Sequence, residues 1–511
     1  MQRRRTMKFQ RSGGILLHPT SLPGPYGIGD LGPQAFRFLD WLGDSGCKLW
    51  QVLPLGPTGY GDSPYQCFSA FAGNPYLVSP ELLVRDGLLP ESELAGLSQP
   101  EDTRADEAVV QFSTVIPWKM SVLERAFQRF HQTDPVELRE QFGLFRAANA
   151  EWLDDYALFM ALKEQHGGGS WVDWPEPIRK RDEAALAAAR QSLSDRVLQF
   201  AFYQWLFFRQ WGDLQSYAHK KGIKIIGDIP IFVAEDSSDV WTHPDLFYLD
   251  DERRPTVVAG VPPDYFSPTG QRWGNPLYRW DEHRRSGYAW WIKRFQAVLG
   301  TVDVVRLDHF RGFAGYWEIP AANPTAETGR WVAGPGADFL DAVQRGLRGP
   351  EDGADLPIIA EDLGLITPDV VALRERYHLP GMKILQFAFS GADNPFLPHN
   401  YATDCVAYTG THDNDTARGW FESAPRKEAR FALRYLHSTA RKFTWDLIRG
   451  IWASVAVFAL APMQDVLDLG TEARMNYPSR LGGNWHWRMR DNDLTPSLAQ
   501  KLKEFNGLYL R

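Results

Sequence analysis

Three short segments carry the side chains with which this chain could do chemistry. Arg306-Leu307-Asp308 ends one aliphatic run, Glu361-Asp362 ends another, and His412-Asp413-Asn414-Asp415 ends a third. Side chains alternate along a strand, so Arg306 and Asp308 share a face. A guanidinium beside an aspartate favours the ionised carboxylate, which is the form a nucleophile needs. A structural ion pair fits that motif equally well. Glu361 follows Ile358-Ile359-Ala360, and poor solvation there raises a carboxyl towards the range of a general acid. The competing reading makes Glu361 a helix N-cap, a task that Asp362 would serve as well. The polar cluster at 412–415 is hard to bury without partners and reads as a site rather than as a lone turn former. Asp228, before Ile229-Pro230, reads by itself as an ordinary strand exit. Asp308, Glu361 and Asp413, with Arg306, His309 and His412 beside them, form the apparatus for glycosidic bond cleavage. One carboxyl protonates the leaving oxygen while another attacks the anomeric carbon or activates water. A divalent metal site is the rival use of clustered carboxylates. Such barrel sites commonly add a lysine at a strand end. Here those ends carry Arg and His, and Lys383 lies early in its run.

Positioning three carboxylates in one place requires elements that end together. Eight near-continuous apolar runs recur: Gly14 to His18, Lys48 to Leu53, Ile223 to Gly227, Val302 to Leu307, Pro357 to Ala360, Met382 to Phe387, Cys405 to Thr411 and Phe458 to Met463. Most end in a polar cluster. Such runs suit parallel strands buried on both faces. Helical patterns lie between them at Phe36 to Trp41, Ala289 to Leu299 and Asp369 to Tyr377. The alternation predicts a (β/α)8 TIM barrel, with the site at the carboxyl ends of its strands. A doubly wound sheet is the alternative, but it does not explain polar ends on nearly every run.

Two stretches interrupt the rhythm. Residues 77–194 show helical periodicity, with Trp152, Tyr156 and Phe159 on one face. They predict a mostly helical insertion after strand 2, with Gly167-Gly168-Gly169-Ser170 as a flexible joint. Leu198, Phe202, Trp205 and Phe208 repeat the pattern and lead back to the barrel. Residues 235–278, rich in Pro, Gly, Asp and aromatics, lack helical period and predict a long loop insertion after strand 3. The expected organisation is 1–76 for strands 1 and 2, 77–194 for the helical insertion, and 195–511 for strands 3–8. That last part includes the 235–278 loop over the site. No C-terminal β-domain is expected.

Composition narrows the function classes. The 511 residues carry 55 Lys and Arg against 63 Asp and Glu, a net charge of −8. That balance argues against a dedicated nucleic-acid binder. Cys47, Cys67 and Cys405 fit neither a disulfide framework nor a zinc site. No apolar run approaches the roughly 20 residues of a membrane span. The basic start, Met1 to Lys8, is not followed by an apolar stretch of signal-peptide length. The expected compartment is the cytoplasm, without a membrane or nucleic-acid partner. The 20 tryptophans can pack in a core or stack on sugar rings, and the count alone favours the core.

At the level of motifs the sequence resembles the 4-α-glucanotransferases, also called amylomaltases or disproportionating enzymes, of the α-amylase clan. The similarity rests first on Val305-Arg306-Leu307-Asp308-His309-Phe310-Arg311-Gly312. It extends to His18-Pro19-Thr20-Ser21, Gly61-Asp62-Ser63-Pro64-Tyr65-Gln66, Gly227-Asp228-Ile229-Pro230, Gly260-Val261-Pro262-Pro263-Asp264-Tyr265-Phe266, Ala360-Glu361-Asp362-Leu363-Gly364, Gly410-Thr411-His412-Asp413-Asn414-Asp415 and Glu472-Ala473-Arg474-Met475-Asn476-Tyr477-Pro478. The resemblance implies a retaining transferase that moves α-1,4-glucan segments between maltooligosaccharides. It implies Asp308 as nucleophile, Glu361 as general acid/base and Asp413 as the third, transition-state carboxylate. Arg306 and His412 would position the nucleophile and the sugar at the cleavage subsite. His309, Asp228, Ser63 and Tyr65 would contact substrate, as would Tyr265, Phe266, Trp273 and Asn275 of an aromatic loop covering the cleft, and Asn484. That loop would present the acceptor and exclude water. No metal or other cofactor is implied, and oligomeric state is left open. Cys67 stands where the family pattern has a small Ser and Ala314 where it has an acidic residue; both bear on substrate preference. A hydrolase on the same scaffold, and a glycan-binding barrel without turnover, are the rival functions. The intact carboxylates argue against the second.

Overall fold

The computed structural model describes residues 9–96, 108–263, 267–347, 356–478, 480 and 482–511. In chain order the first strands are β1 (Ser12–Leu16), β2 (Leu49–Gln51) and β3 (Lys224–Ile229). Then come β4 (Val257–Val261), β5 (Gln271–Pro276), β6 (Val304–Leu307), β7 (Gly315–Pro320) and β8 (Arg330–Ala333). The last four are β9 (Ile358–Ala360), β10 (Gly381–Ile384), β11 (Cys405–Tyr408) and β12 (Phe458–Pro462). Eight of them form one parallel sheet in the order β10-β11-β12-β1-β2-β3-β6-β9. Ala360 N–H donates to Pro380 O at 2.9 Å and draws the two ends of that order together. This is the expected (β/α)8 barrel, and each of the eight apolar runs supplies one of its strands.

Alternation along each strand builds two cores. Leu49, Ile226, Val304, Ile359, Met382, Ile384, Val406, Tyr408, Phe458 and Leu460 fill the barrel interior. Their neighbours, among them Trp50, Ile225, Val305, Ala360 and Ala407, pack outward against the helices. The parity sets what comes next. Two residues beyond Ile226 is Asp228, two beyond Val304 is Arg306, and two beyond Ile359 is Glu361. Each inward column therefore starts apolar at the bottom of the barrel and ends charged at its mouth.

Between Pro80 and Lys220 the described chain is mostly helical. The long helices Phe112–Thr133, Val136–Gln165 and Ser194–Lys220 pack through aromatic contacts such as Phe130–Phe202 and Phe142–Trp205. The glycine run at 167–169 is a pinned turn rather than a loose joint. Gly167 and Gly168 have positive φ, Lys163 Nζ donates to Gly169 O at 3.1 Å, and Trp171 Nε1 donates to Glu235 O at 2.8 Å. After β12 the described residues hold short turns and the helix Pro496–Tyr509, which packs beside the helix Pro33–Asp44.

The stretch 235–278 is not merely a loop. It contributes β4 and β5, which join β7 and β8 in an antiparallel sheet ordered β5-β4-β7-β8. The register shifts between Val258 and Gly260, and β5 reads Gln-Arg-Trp-Gly-Asn-Pro. A bulge and a Gly-Asn-Pro strand end erase the period-2 signal that would have marked strands.

Candidate active site

Register places the first charged pair. Asp228 on β3 lies opposite Arg306 on β6, both pointing inward. Arg306 Nη1 meets Asp228 Oδ2 at 2.6 Å, and Arg306 Nη2 meets Asp308 Oδ1 at 2.8 Å. The guanidinium thus forks between two carboxylates. Asp308 remains partly open, while the Asp228 side chain is wholly buried. Tyr65 Oη donates to the same Asp228 oxygen at 2.9 Å. Burial pushes the Asp228 carboxyl up and Arg306 draws it back. Asp228 and Tyr65, expected as sugar contacts, therefore meet Arg306 and each other first. Ser63 shapes the turn beneath them, its hydroxyl accepting Tyr65 N–H at 3.2 Å.

The chain leaves β6 through a left-handed residue, His309 (φ 50°, ψ 49°). An L-residue adopts that region at a cost of roughly 1 kcal/mol. The turn aims successive amides at the next strand. His309 N–H donates to Glu361 Oε2 at 2.8 Å, and Phe310 N–H donates to Glu361 O at 3.1 Å. Leu363 N–H donates to the other carboxyl oxygen, Oε1, at 2.8 Å. Burial pushes the Glu361 carboxyl up to about 8, with Asp308 adding to the rise and Arg306 opposing it. Glu361 caps no helix: the next helix, Pro368–Arg376, starts seven residues later, with Thr367 before it. His309 itself is half-buried, desolvation pushes its imidazole down to about 4, and its ring sits edge-on to Trp273 at 4.9 Å.

The third cluster divides its labour. Asn414 Oδ1 accepts Thr411 N–H at 2.8 Å, and Asp415 Oδ2 accepts the Thr471 hydroxyl at 2.9 Å. These two side chains build the loop. His412 and Asp413 face the site. His412 stacks on Tyr65 at 5.1 Å and leans on Trp485 at 5.9 Å; burial pushes its imidazole down. Asp413, half-exposed, has Oδ1 held by Asn476 Nδ2 at 2.6 Å, and its carbonyl takes Arg474 Nη2 at 2.7 Å. His18, at the end of β1, is also buried, and burial together with His412 pushes it down to about 3. Tyr65 feels the charges of Asp228, Arg306, Asp308 and Asp413 together, and its own contacts are with Asp228, His412 and Trp485.

Three of the residues expected to contact substrate also hydrogen-bond within the protein. Asn275 donates to Val233 O at 2.8 Å and accepts from Gln66 Nε2 at 3.3 Å, fastening β5 to the loops after β2 and β3. Asn484 donates to Arg480 O at 2.9 Å and accepts Tyr477 N–H at 2.9 Å, closing its own loop. Trp273 Nε1 donates to Gln271 Oε1 at 3.2 Å while its ring covers His309. Tyr265 and Phe266 lie outside the described residues. Arg474, Asn476 and Trp485 were not singled out from sequence. The first two stand in a motif quoted above, and no local pattern tied that loop to Asp413. Among the described residues no group of three or more His, Cys, Asp or Glu could hold a metal ion.

A family model described as 4-alpha-glucanotransferase matches residues 17–495. The chain is 54% identical over 506 residues to a 4-alpha-glucanotransferase of Thermus thermophilus, covering 97% of this chain and 98% of that one. It is 46% identical over 513 residues to the chloroplastic/amyloplastic 4-alpha-glucanotransferase of Solanum tuberosum, covering 98% and 87%. The amylomaltase of Streptococcus agalactiae, solved in complex with acarbose, superposes with a TM-score of 0.93 at 40% identity, covering 98% of this chain and all of that one.

Proposed function

Because the chain belongs to the 4-alpha-glucanotransferase family, we propose that it moves α-1,4-glucan segments from a maltooligosaccharide or starch donor to the 4-hydroxyl of another glucan or of glucose. The proposed route is retaining. Glu361 gives its proton to the glycosidic oxygen as Asp308 attacks the anomeric carbon. The C–O bond to the leaving glucan breaks and an ester to Asp308 forms. Glu361, now a carboxylate, takes the proton from the acceptor hydroxyl, whose oxygen displaces Asp308. Two inversions leave the α-configuration unchanged.

One observation carries this reading: two carboxyls on adjacent strands in opposite electrostatic settings. Asp308 is ion-paired to Arg306 at 2.8 Å, the setting of an anionic nucleophile. Burial pushes Glu361 up to about 8, so it holds its proton at neutral pH, as an acid must. Asp413, gripped by Asn476, is proposed to bind sugar hydroxyls and stabilise the transition state. His412 and Tyr65 form the stacked wall beside that sugar. Transfer must outcompete water, which the acceptor does by being held in place.

Pure maltotriose tests the reading. Longer oligomers plus glucose, with total reducing ends constant, are the expected products. Reducing ends that rise in step with cleavage would make water the acceptor and replace the transferase with a hydrolase.

A further inference from the structure

Glu361 and Asp362 are adjacent carboxylates that face opposite ways. Ile359 belongs to the barrel interior and Ala360 to the outer core. Continuing that alternation sends Glu361 inward and Asp362 outward. The outward side chain meets the one place where consecutive barrel strands do not pair among the described residues, the seam between β9 and β10.

Among the described residues a single backbone hydrogen bond, Ala360 N–H to Pro380 O, crosses that seam at its start. The next rung is a side chain. Asp362 Oδ1 accepts Met382 N–H at 2.7 Å, and Asp362 Oδ2 lies 3.2 Å from Arg374 Nε. Arg374 also donates from Nη1 to Leu379 O at 3.0 Å, so the helix Pro368–Arg376 grips both edges of the seam. On the opposite side, Glu361 N–H donates to Leu307 O at 3.1 Å. The acid/base is thus tied to the nucleophile's strand by its own backbone and to β10 by its neighbour's carboxylate. The fit is close: a Cβ on Gly381 would stand 2.4 Å from Asp362 Oδ2.

We propose that Asp362 is the positioning residue of the acid/base, a side-chain rung that closes the barrel seam behind Glu361, fixes its carboxyl and keeps water from it. The inference rests on Glu361 being the acid/base. The charged groups that act on Glu361 are Arg306 and Asp308 from β6, with the amides of His309 and Leu363. Arg374 from the helix and Lys383 from β10 act on Asp362. Opening the seam leaves all of these in place and changes hydration. Burial is the largest influence raising Glu361, so added water lowers it, and the acid is lost at lower pH.

The test uses the full-length protein and maltotriose, following kcat, KM and the pH profile of kcat in Asp362→Ala, Asp362→Asn and Gly381→Ala. Asp362→Ala is expected to lower kcat roughly tenfold or more with KM little changed, as misplacement of a reacting group does. Its alkaline limb is expected to move down by about one pH unit. Asp362→Asn keeps an acceptor for Met382 N–H and is expected to restore most of the rate. Gly381→Ala, which displaces the carboxylate without removing it, is expected to shift the limb in the same direction and keeps the test decisive if Asp362→Ala does not fold. An unmoved alkaline limb in folded Asp362→Ala or Gly381→Ala, whether or not the rate falls, overturns the proposal. Glu361→Gln separates the two readings: substantial activity in that variant would remove Glu361 from its role, independently of what Asp362 does.

Discussion

Replacing Glu361 with Gln is expected to abolish transfer and, at alkaline pH, to stabilise the protein. A glutamate ordinarily titrates near 4.5, and burial pushes this one up to about 8. The folded protein therefore binds the proton more tightly than the unfolded chain does. That contribution is fully present below pH 4.5 and is lost as pH rises through about 8. At about 1.36 kcal/mol per pH unit, the wild type forfeits up to about 5 kcal/mol that the neutral glutamine keeps. Unfolding entropy for a chain of this size is roughly 1 kcal/mol per degree, and about 4 kcal/mol of the loss falls between pH 5 and pH 9, so the melting temperature of the variant is expected to gain about 4 °C on the wild type over that range. Glutamine turns one amide hydrogen towards either His309 N–H or Leu363 N–H, which now donate to the carboxylate. The resulting offset does not depend on pH, so the slope of the difference carries the information. Thermal melts of both proteins across that range, read by circular dichroism, make the measurement. Parallel curves would mean that Glu361 titrates alike in the folded and unfolded chain, and so that burial does not raise it.

Asn476→Ala removes the 2.6 Å donor to Asp413. A hydrogen bond to a charged group is worth about 1.5–3 kcal/mol, so kcat/KM on maltotriose is expected to fall roughly tenfold to a hundredfold with the melting temperature nearly unchanged. Tyr65→Phe keeps the ring on His412 and deletes the hydroxyl that donates to Asp228. Titrated glucan binding is expected to change less than kcat, which depends on Asp228 holding Arg306. Arg511 donates to the carbonyls of Trp452, Ser12, Ala456, Ile451 and Ser454 beneath the barrel. Arg511→Ala is expected to lower the melting temperature by several degrees, at about 1 kcal/mol per lost bond, while leaving kcat of the folded enzyme as it was.

The barrel was legible because burial on both faces writes each parallel strand as an unbroken apolar run, and because charge at a run's end has no use in a core. Parity did the rest: Val304-Val305-Arg306-Leu307-Asp308 names its inward residues by alternation alone. The antiparallel sheet was not legible, since β5 is bulged against β4 and ends Gly-Asn-Pro. Site residues separate in the same way. Asp308, Glu361 and Asp413 stand out at strand ends. Asp228 looked like a strand exit by itself, and only its register opposite Arg306 shows the pair. Asn275 and Asn484 have the chemistry of sugar contacts, and the structure adds what the sequence does not show, that their amides fasten loops within the protein. Asn476 reaches Asp413 across 63 positions of sequence, and no local pattern encodes that.

Asp308 is proposed to carry the glycosyl group, and that assignment is open to direct chemical trapping. It is tested most directly by reacting the Glu361→Gln variant with an activated α-maltosyl fluoride, whose leaving group needs no acid. Digestion and mass spectrometry then locate the adduct. One maltosyl unit esterified to the peptide that contains Asp308 is expected. An adduct on Asp413 or on Asp228, or release of maltose with inverted anomeric configuration, would contradict it.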